Sequence, residues 1–322
     1  MNRLFALGLV GMVAAGLCLL AVGCGRRSAG GVEGARARVE SQPSADSWLA
    51  LGQAYTHAQQ YNDAFIAFRQ ALGYDASNFD ALCGLSEASL YLADVQSAAQ
   101  WANRALERRP DAPAALGLRG RARLASGDTA AALPDLERAA SQDSSLLETR
   151  LALVAAYRSG RQSDLALNQA AKLAAQFGDQ ARVHYAYGVL LDERRQWPQA
   201  EREYREAVRL DPQMTAAKFA LVLVLLNQHK GYDEAQKLAR EIDGAAPGDG
   251  TAAGLAAWAR FLSGQQQQGM RDLLEAYRRH SGNLQIIRWI QAAAVRMGRV
   301  DLADAASKTI DQMTKPAPPP PP

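Results

Sequence analysis

Chemistry in this chain would have to come from four histidines, three cysteines and scattered carboxylates, and their spacing does not assemble a reaction centre. His57, His184, His229 and His280 lie far apart in sequence. No His pairs with Glu at HExxH spacing, and there is no CxxC, no glycine-rich loop ending in Lys-Ser/Thr and no GxSxG. His184 falls at a packing position, so a satisfied interior imidazole is expected there. Asp192-Glu193 is the one acidic pair worth inspecting on an inner helix face, and a solvated helix end is the expectation over general acid/base work. Cys18 and Cys24 lie at the amino-terminal end, which leaves Cys83 alone, so no intramolecular disulfide framework can form. Cys83 is expected to be a small half-buried apolar residue. The expectation is a chain that is not an enzyme, with no catalytic residue, no metal, no cofactor and no small-molecule substrate. Lys and Arg number 36 against 33 Asp and Glu, too balanced for a nucleic-acid footprint.

The elements that would hold such residues repeat every 34 positions. Trp48, Leu51, Gly52, Tyr55, Ala64, Phe68 and Ala71 are followed at that spacing by Leu82, Leu85, Ser86, Ser89, Ala98, Ala102 and Ala105, then by Leu116, Gly120, Ala132, Leu136 and Ala139. Arg150, Leu153, Tyr157 and Ala166 continue the register, as do His184, Tyr187, Gly188, Leu191, Ala200, Tyr204 and Ala207, with Pro110 and Pro212 as closing prolines. A sixth copy opens with Lys218, Leu221 and Leu225, but its small residue is Ala235, one place late, which locates an insertion near His229-Lys230-Gly231. Gly269, Leu273 and Ala276 mark a seventh copy, and Ile287, Ile290, Ala294, Ala303 and Ile310 an eighth. Each copy holds two segments of helical apolar spacing joined by turn-type sequence such as Ser126-Gly127-Asp128. One such hairpin cannot bury its apolar faces alone, so neighbours must stack. Val, Ile and aromatic residues show no period-2 runs, and the chain reads as all-α.

The order Trp/Leu, Leu-Gly, Tyr, Ala, Phe, Ala, Pro resembles the tetratricopeptide repeat (TPR) over residues 45–314. The resemblance implies a right-handed TPR superhelix, an α-solenoid of about eight helix-turn-helix units near 45–78, 79–112, 113–146, 147–180, 181–214, 215–249, 250–283 and 284–314. It also implies that the first helix of each unit lines a groove with its second, fifth, ninth, twelfth and thirteenth places. Carried over by register, the first three units present Asp46, Leu49, Gln53, His57, Asp80, Cys83, Glu87, Tyr91 and Arg121, a mixed polar set. Units five to seven present Tyr185, Val189, Phe219, Leu223, Leu226, Trp258 and Phe261, an apolar and aromatic run expected to anchor a protein or peptide partner. The Lys and Asn with which some chaperone-binding TPR domains clamp a terminal carboxylate are replaced here by Leu49 and Gln53, so that ligand class is not expected. Unit four departs from the pattern with Val154 and Gly178 at the Gly and Pro places. Unit seven departs with Gly269 for Ala. Any parting of the repeats is expected near 229–232 or 244–250.

Residues 1–23 pair Arg3 with an uncharged apolar stretch, and Leu20-Ala21-Val22-Gly23-Cys24 resembles a bacterial lipobox, which implies a lipoprotein signal peptide and acylation of Cys24 by chains such as palmitate. Gly25 after the cysteine points by the same resemblance to the outer membrane. An uncleaved span with cytoplasmic repeats stays open, because about 20 apolar residues can cross a bilayer and Arg26 and Arg27 follow at once. Residues 24–44 read as a flexible tether and 315–322 as a proline-rich tail. Together these imply a lipid-anchored, periplasm-facing interaction scaffold of the bacterial envelope, an assembly factor for a pilus, secretion, outer-membrane or exopolysaccharide export machine. The alternatives are an adaptor or regulator of a peptidoglycan enzyme and a cytoplasm-facing scaffold.

Overall fold

The computed structural model describes residues 25–245 and 248–314, which contain seventeen α-helices and no strand. The leading helix α1 (Gly25–Ser41) is followed by eight antiparallel hairpins: α2 (Ala45–His57) with α3 (Tyr61–Tyr74), α4 (Phe79–Tyr91) with α5 (Val95–Arg108), α6 (Pro113–Ala125) with α7 (Thr129–Gln142), and α8 (Leu147–Ser159) with α9 (Ser163–Gln176). Then come α10 (Ala181–Glu193) with α11 (Trp197–Leu210), α12 (Thr215–Asn227) with α13 (Tyr232–Ala245), α14 (Thr251–Leu262) with α15 (Gln266–Arg279), and α16 (Leu284–Arg296) with α17 (Val300–Thr314). The chain divides into two compact bodies, one ending at Gly178 and one beginning at Asp179. Within each, every helix packs on the next, and successive first helices also touch. Each body is thus an all-α stack of helical hairpins, as the 34-residue period predicts.

Local chemistry fixes the helix ends. Ser44 and Ser47 form a reciprocal capping box on α2, and the side chains of Asn78, Asp94, Asp128 and Asn283 accept backbone N–H groups that open α4, α5, α7 and α16. Each such cap stabilises its helix by about 1 kcal/mol. The turn inside every hairpin uses one residue of positive φ: Gln59, Ala93, Gly127, Arg161, Arg195, His229, Gly264 and Gly298. At the insertion the turn spends two such residues, His229 at φ 53° and Gly231 at φ 62°, which places the extra residue where the register slips.

The core shows a longer rhythm than 34. In the first, third and fifth hairpins a glycine of the first helix receives a large side chain of the second. A Cβ on Gly52 would lie 2.5 Å from the Phe68 ring, one on Gly120 2.7 Å from Leu136, and one on Gly188 2.7 Å from Tyr204. At the same two places the intervening hairpins carry Ser86 with Ala102, Val154 with Ala170, and Val222 with Ala239, all buried. In the fourth and sixth hairpins the larger residue sits on the first helix and the small one on the second, so the packed volume there is close to that of the glycine hairpins, while Ser86 with Ala102 is small at both places. Val154 is therefore no defect: its bulk is matched by Ala170. Several inter-repeat loops are closed alike, since Asp75, Asp143, Asp211 and Asp249 each accept the backbone N–H two residues on.

Three expectations need correction. The segment read as a tether is helical over Gly25–Ser41, and Val32, Ala35 and Val39 join Leu51, Tyr55 and Phe68 in one core cluster. Arg36 Nε also donates to the Tyr55 hydroxyl at 2.7 Å. Only three apolar residues carry that face among several glycines, so its helical spacing is faint in the sequence. The division between bodies falls at Gly178, not at either glycine cluster named above. The insertion is instead pinned, because Glu201 accepts from Lys230 and Gln228 at 2.8 Å each and from Arg205, which also holds Glu234. Gly269 likewise weakens nothing, since a Cβ there would sit 2.5 Å from the Phe261 backbone nitrogen. The signal-peptide reading, Cys24 and the proline tail lie outside the described residues.

Candidate binding face

On α10 and α12 the fifth and ninth places, Tyr185 with Val189 and Phe219 with Leu223, are each one helical turn apart and so share a helix face. All four are half-buried. The Tyr185 ring lies 6.0 Å from Tyr204, the residue that fills the Gly188 notch, so core packing behind the face sets its position.

The other three residues expected on this run are not available. Leu226 is buried, and Trp258 and Phe261 are only 5% and 2% exposed. The reason is the composition of α14, apolar around nearly its whole circumference, which makes a helix sink on all sides. Trp258 and Phe261 stack at 5.3 Å, the Arg296 guanidinium sits 5.3 Å from the indole ring, and Gly254 lets Trp289 approach to where a Cβ would be 2.7 Å away. These side chains close the core of their hairpins.

Asp192, one turn beyond Val189, is half-buried. Burial pushes its carboxyl up to about 6, with the Glu193 charge adding to the shift and a hydrogen bond from Trp197 opposing it. His184 is an interior imidazole as expected, with Nδ1 2.7 Å from Glu203 Oε2. Cys83 is half-buried, and burial pushes its thiol up to about 12, far from a reactive thiolate.

In the N-terminal body the same helix places hold groups that satisfy one another. Tyr91 stacks on Tyr61 at 4.2 Å, Arg121 lies 6.0 Å from the Tyr91 ring, and its guanidinium is 3.9 Å from Glu87. Among the described residues no three His, Cys, Asp or Glu side chains gather as metal ligands would, and no helix is long and apolar enough to cross a membrane.

Solved structures share this fold. A TPR protein of Thermus thermophilus is 20% identical, with a TM-score of 0.51, and the match covers 57% of this chain and 100% of that one. A tetratricopeptide repeat protein of Parabacteroides merdae is 16% identical, with a TM-score of 0.54 over 74% of this chain and 93% of that one. A human IFIT1 dimer described with PPP-AAAA is 12% identical, with a TM-score of 0.59 over 88% of this chain and 78% of that one. A comparison with curated proteins finds no match. Tetratricopeptide-repeat family models match residues 45–78, 83–146, 151–214 and 190–250, more than half the chain, and the 83–146 and 151–214 matches each span two of the hairpins described above; the chain belongs to the tetratricopeptide-repeat family.

Proposed function

We propose that the face built by Tyr185, Val189, Phe219 and Leu223 is the working surface of a scaffold and receives a peptide segment of a protein partner. The observation that carries this reading is that four large apolar side chains at matching places of two adjacent first helices stay half-buried in a fold whose general work is protein interaction. A partner would complete their burial, worth about 25 cal/mol per Å² of apolar surface removed from water. The desolvated carboxyl of Asp192 beside them favours a segment with a basic group near its apolar anchors.

The setting we infer is the bacterial envelope. Leu20-Ala21-Val22-Gly23-Cys24 supports a lipid at Cys24, and the helix beginning at Gly25 would join that lipid directly to the first repeat. Assembly of a pilus, secretion, outer-membrane or exopolysaccharide export machine is the proposed process. The near-balance of charge and the apolar character of the face argue against nucleic acid as the ligand.

Phe219→Glu with Leu223→Glu, followed by crosslinking and recovery of partners from membranes, tests the face directly. Loss of one specific protein while the helical signal is retained is the expected result, and unchanged recovery refutes the reading. Mass spectrometry of the mature amino terminus tests the anchor: a chain beginning at acylated Cys24 is expected, and an intact Met1 would put the repeats on an uncleaved span instead.

A further inference from the structure

The fourth place of each repeat is a core position. It holds Trp48, Leu82 and Leu116 in the first three repeats, and then three basic residue types in succession, Arg150, His184 and Lys218. Two of these come with a carboxylate partner from the second helix of their own hairpin: Glu203 lies 2.7 Å from His184 Nδ1, and Glu241 2.9 Å from Lys218 Nζ. Arg150 does not. It is only 7% exposed, its Nη1 donates to the Ser144 carbonyl at 3.0 Å and to the Gln176 side chain, and the Phe177 ring lies 5.8 Å away. Burial, with no carboxylate to oppose it, lowers the basicity of this guanidinium.

Among the described residues the Nε and Nη2 groups of Arg150 have no protein acceptor, yet they are not among the sealed, unsatisfied atoms. Arg150 lines a cleft of about 270 Å³ within the N-terminal body. Its floor is α8, with Arg150, Leu153 and Tyr157. Its walls are α7, with Glu137 and Ser141, and α9, with Lys172. Tyr157 donates its hydroxyl to Glu137 at 2.7 Å, which ties that carboxylate to the far end of the floor. Lys172 is exposed and makes no ion pair among the described residues.

We infer that this cleft, on the second-helix side of the hairpins and separate from the apolar face, is a binding site for a carboxylate of a protein partner. A guanidinium presents its Nε–H and an Nη–H in parallel, the spacing of two carboxylate oxygens. The cleft carries Arg150 and Lys172 against Glu137, a net charge that matches one carboxylate better than a doubly charged phosphate. Leu153 supplies an apolar floor for the stem that carries the acid. Arg150 lies on the floor of a recess, so recognition would select a chain end or a lone acidic side chain over a flat acidic patch.

The test uses the full chain in detergent micelles with three short amino-capped peptides. One has a free terminal carboxylate, one is amidated and contains a single Glu, and one is amidated with no acid. Titration calorimetry gives affinity, and protection of Arg150 from phenylglyoxal, mapped by mass spectrometry, gives the site. Saturable binding and protection by one or both acidic peptides, absent with the acid-free one, is expected, and the two acidic peptides tell a chain terminus from a side chain. Arg150→Leu, which restores the residue type of the second and third repeats, should weaken binding by about tenfold or more. Lys172→Glu, on the exposed rim, should weaken it several-fold with no change in melting temperature. If Arg150→Leu fails to fold, the rim variant and the protection experiment still decide. The inference is overturned if neither acidic peptide saturates, if binding survives Lys172→Glu unchanged, or if inorganic phosphate binds more tightly than both.

Discussion

The two bodies use the same helix places for opposite ends. In the N-terminal body the inward-register residues are mostly polar, and several find partners close by, with Tyr91 stacked on Tyr61 and Arg121 beside both Tyr91 and Glu87. In the C-terminal body the fifth and ninth places of α10 and α12 and the ninth and twelfth of α14 are apolar. Some are closed by neighbouring helices, as Trp258 and Phe261 are, and some, Tyr185, Val189, Phe219 and Leu223, are left half-closed. A place in a repeat thus specifies a direction, and the chemistry of adjacent helices specifies whether anything is left over for a partner.

The sharpest way to break the comparison is through volume. Tyr204→Ala should cost about 3–5 kcal/mol by emptying the Gly188 notch. Gly188→Val alone should cost about 1–3 kcal/mol by overpacking against Tyr204. If the alternation of small and large is real, the double variant imitates the Val154/Ala170 hairpin and recovers about 1–2 kcal/mol relative to additivity, measured by urea unfolding. Additive losses would show that the two places do not share one volume.

Next in size is the contrast between a buried and a half-buried aromatic. Trp258→Glu places an unpaired charge in a closed core and should cost about 3 kcal/mol or more, whereas Phe219→Glu on the half-open face should cost about 1 kcal/mol or less. Thermal melts of the two variants side by side decide it, and equal losses would remove the distinction between core and face.

Two carboxyl groups of the C-terminal body should make stability move with pH in opposite directions. Burial acts to raise Glu201, but its bonds from Lys230, Gln228 and Arg205 outweigh that and hold it below its ordinary value. Its stabilising contribution is present above the ordinary carboxylate range and lost as pH falls through the lowered folded value. Asp192 is raised from 3.8 to about 6, so the folded state holds its proton more tightly and stability declines as pH climbs through that window. Urea midpoints against pH should therefore show a shallower acid loss for Glu201→Gln and a flatter profile between 3.8 and about 6 for Asp192→Asn. A wild-type slope retained in both variants would reject these assignments.

The smallest effect lies in the turns. Ala93 sits at φ 59°, a conformation that an L-residue with a Cβ enters at a cost. Ala93→Gly should stabilise the second hairpin by about 0.5–1 kcal/mol, while Gly127→Ala in the third should destabilise by a similar amount. Chemical denaturation resolves differences of this size.

Much of this was legible in the residues. The 34-residue step from Trp48 to His184 and beyond defines the hairpins, the late arrival of Ala235 marks the extra residue that the His229/Gly231 turn absorbs, and His184 reads as a packing residue. The 68-residue alternation was also there to be read, in Gly52, Gly120 and Gly188 against Phe68, Leu136 and Tyr204, because it depends only on side-chain size at two fixed places. The open cation of Arg150 carried a signal as well, a charged residue at a core place, but nothing in the sequence says that Lys218 finds a carboxylate and Arg150 does not.

What the sequence by itself determined is the repeating unit, since period, caps and turn residues act within one hairpin and need no distant partner. What only the tertiary structure decided is which side chains remain for other molecules. Burial of Trp258 depends on helices α14 and α16 meeting across Gly254, the docking of α1 depends on Tyr55 being in reach of Arg36, and the division at Gly178 depends on contacts summed over many residues. Each of these is a distance between residues far apart along the chain, and a local pattern carries no measure of it.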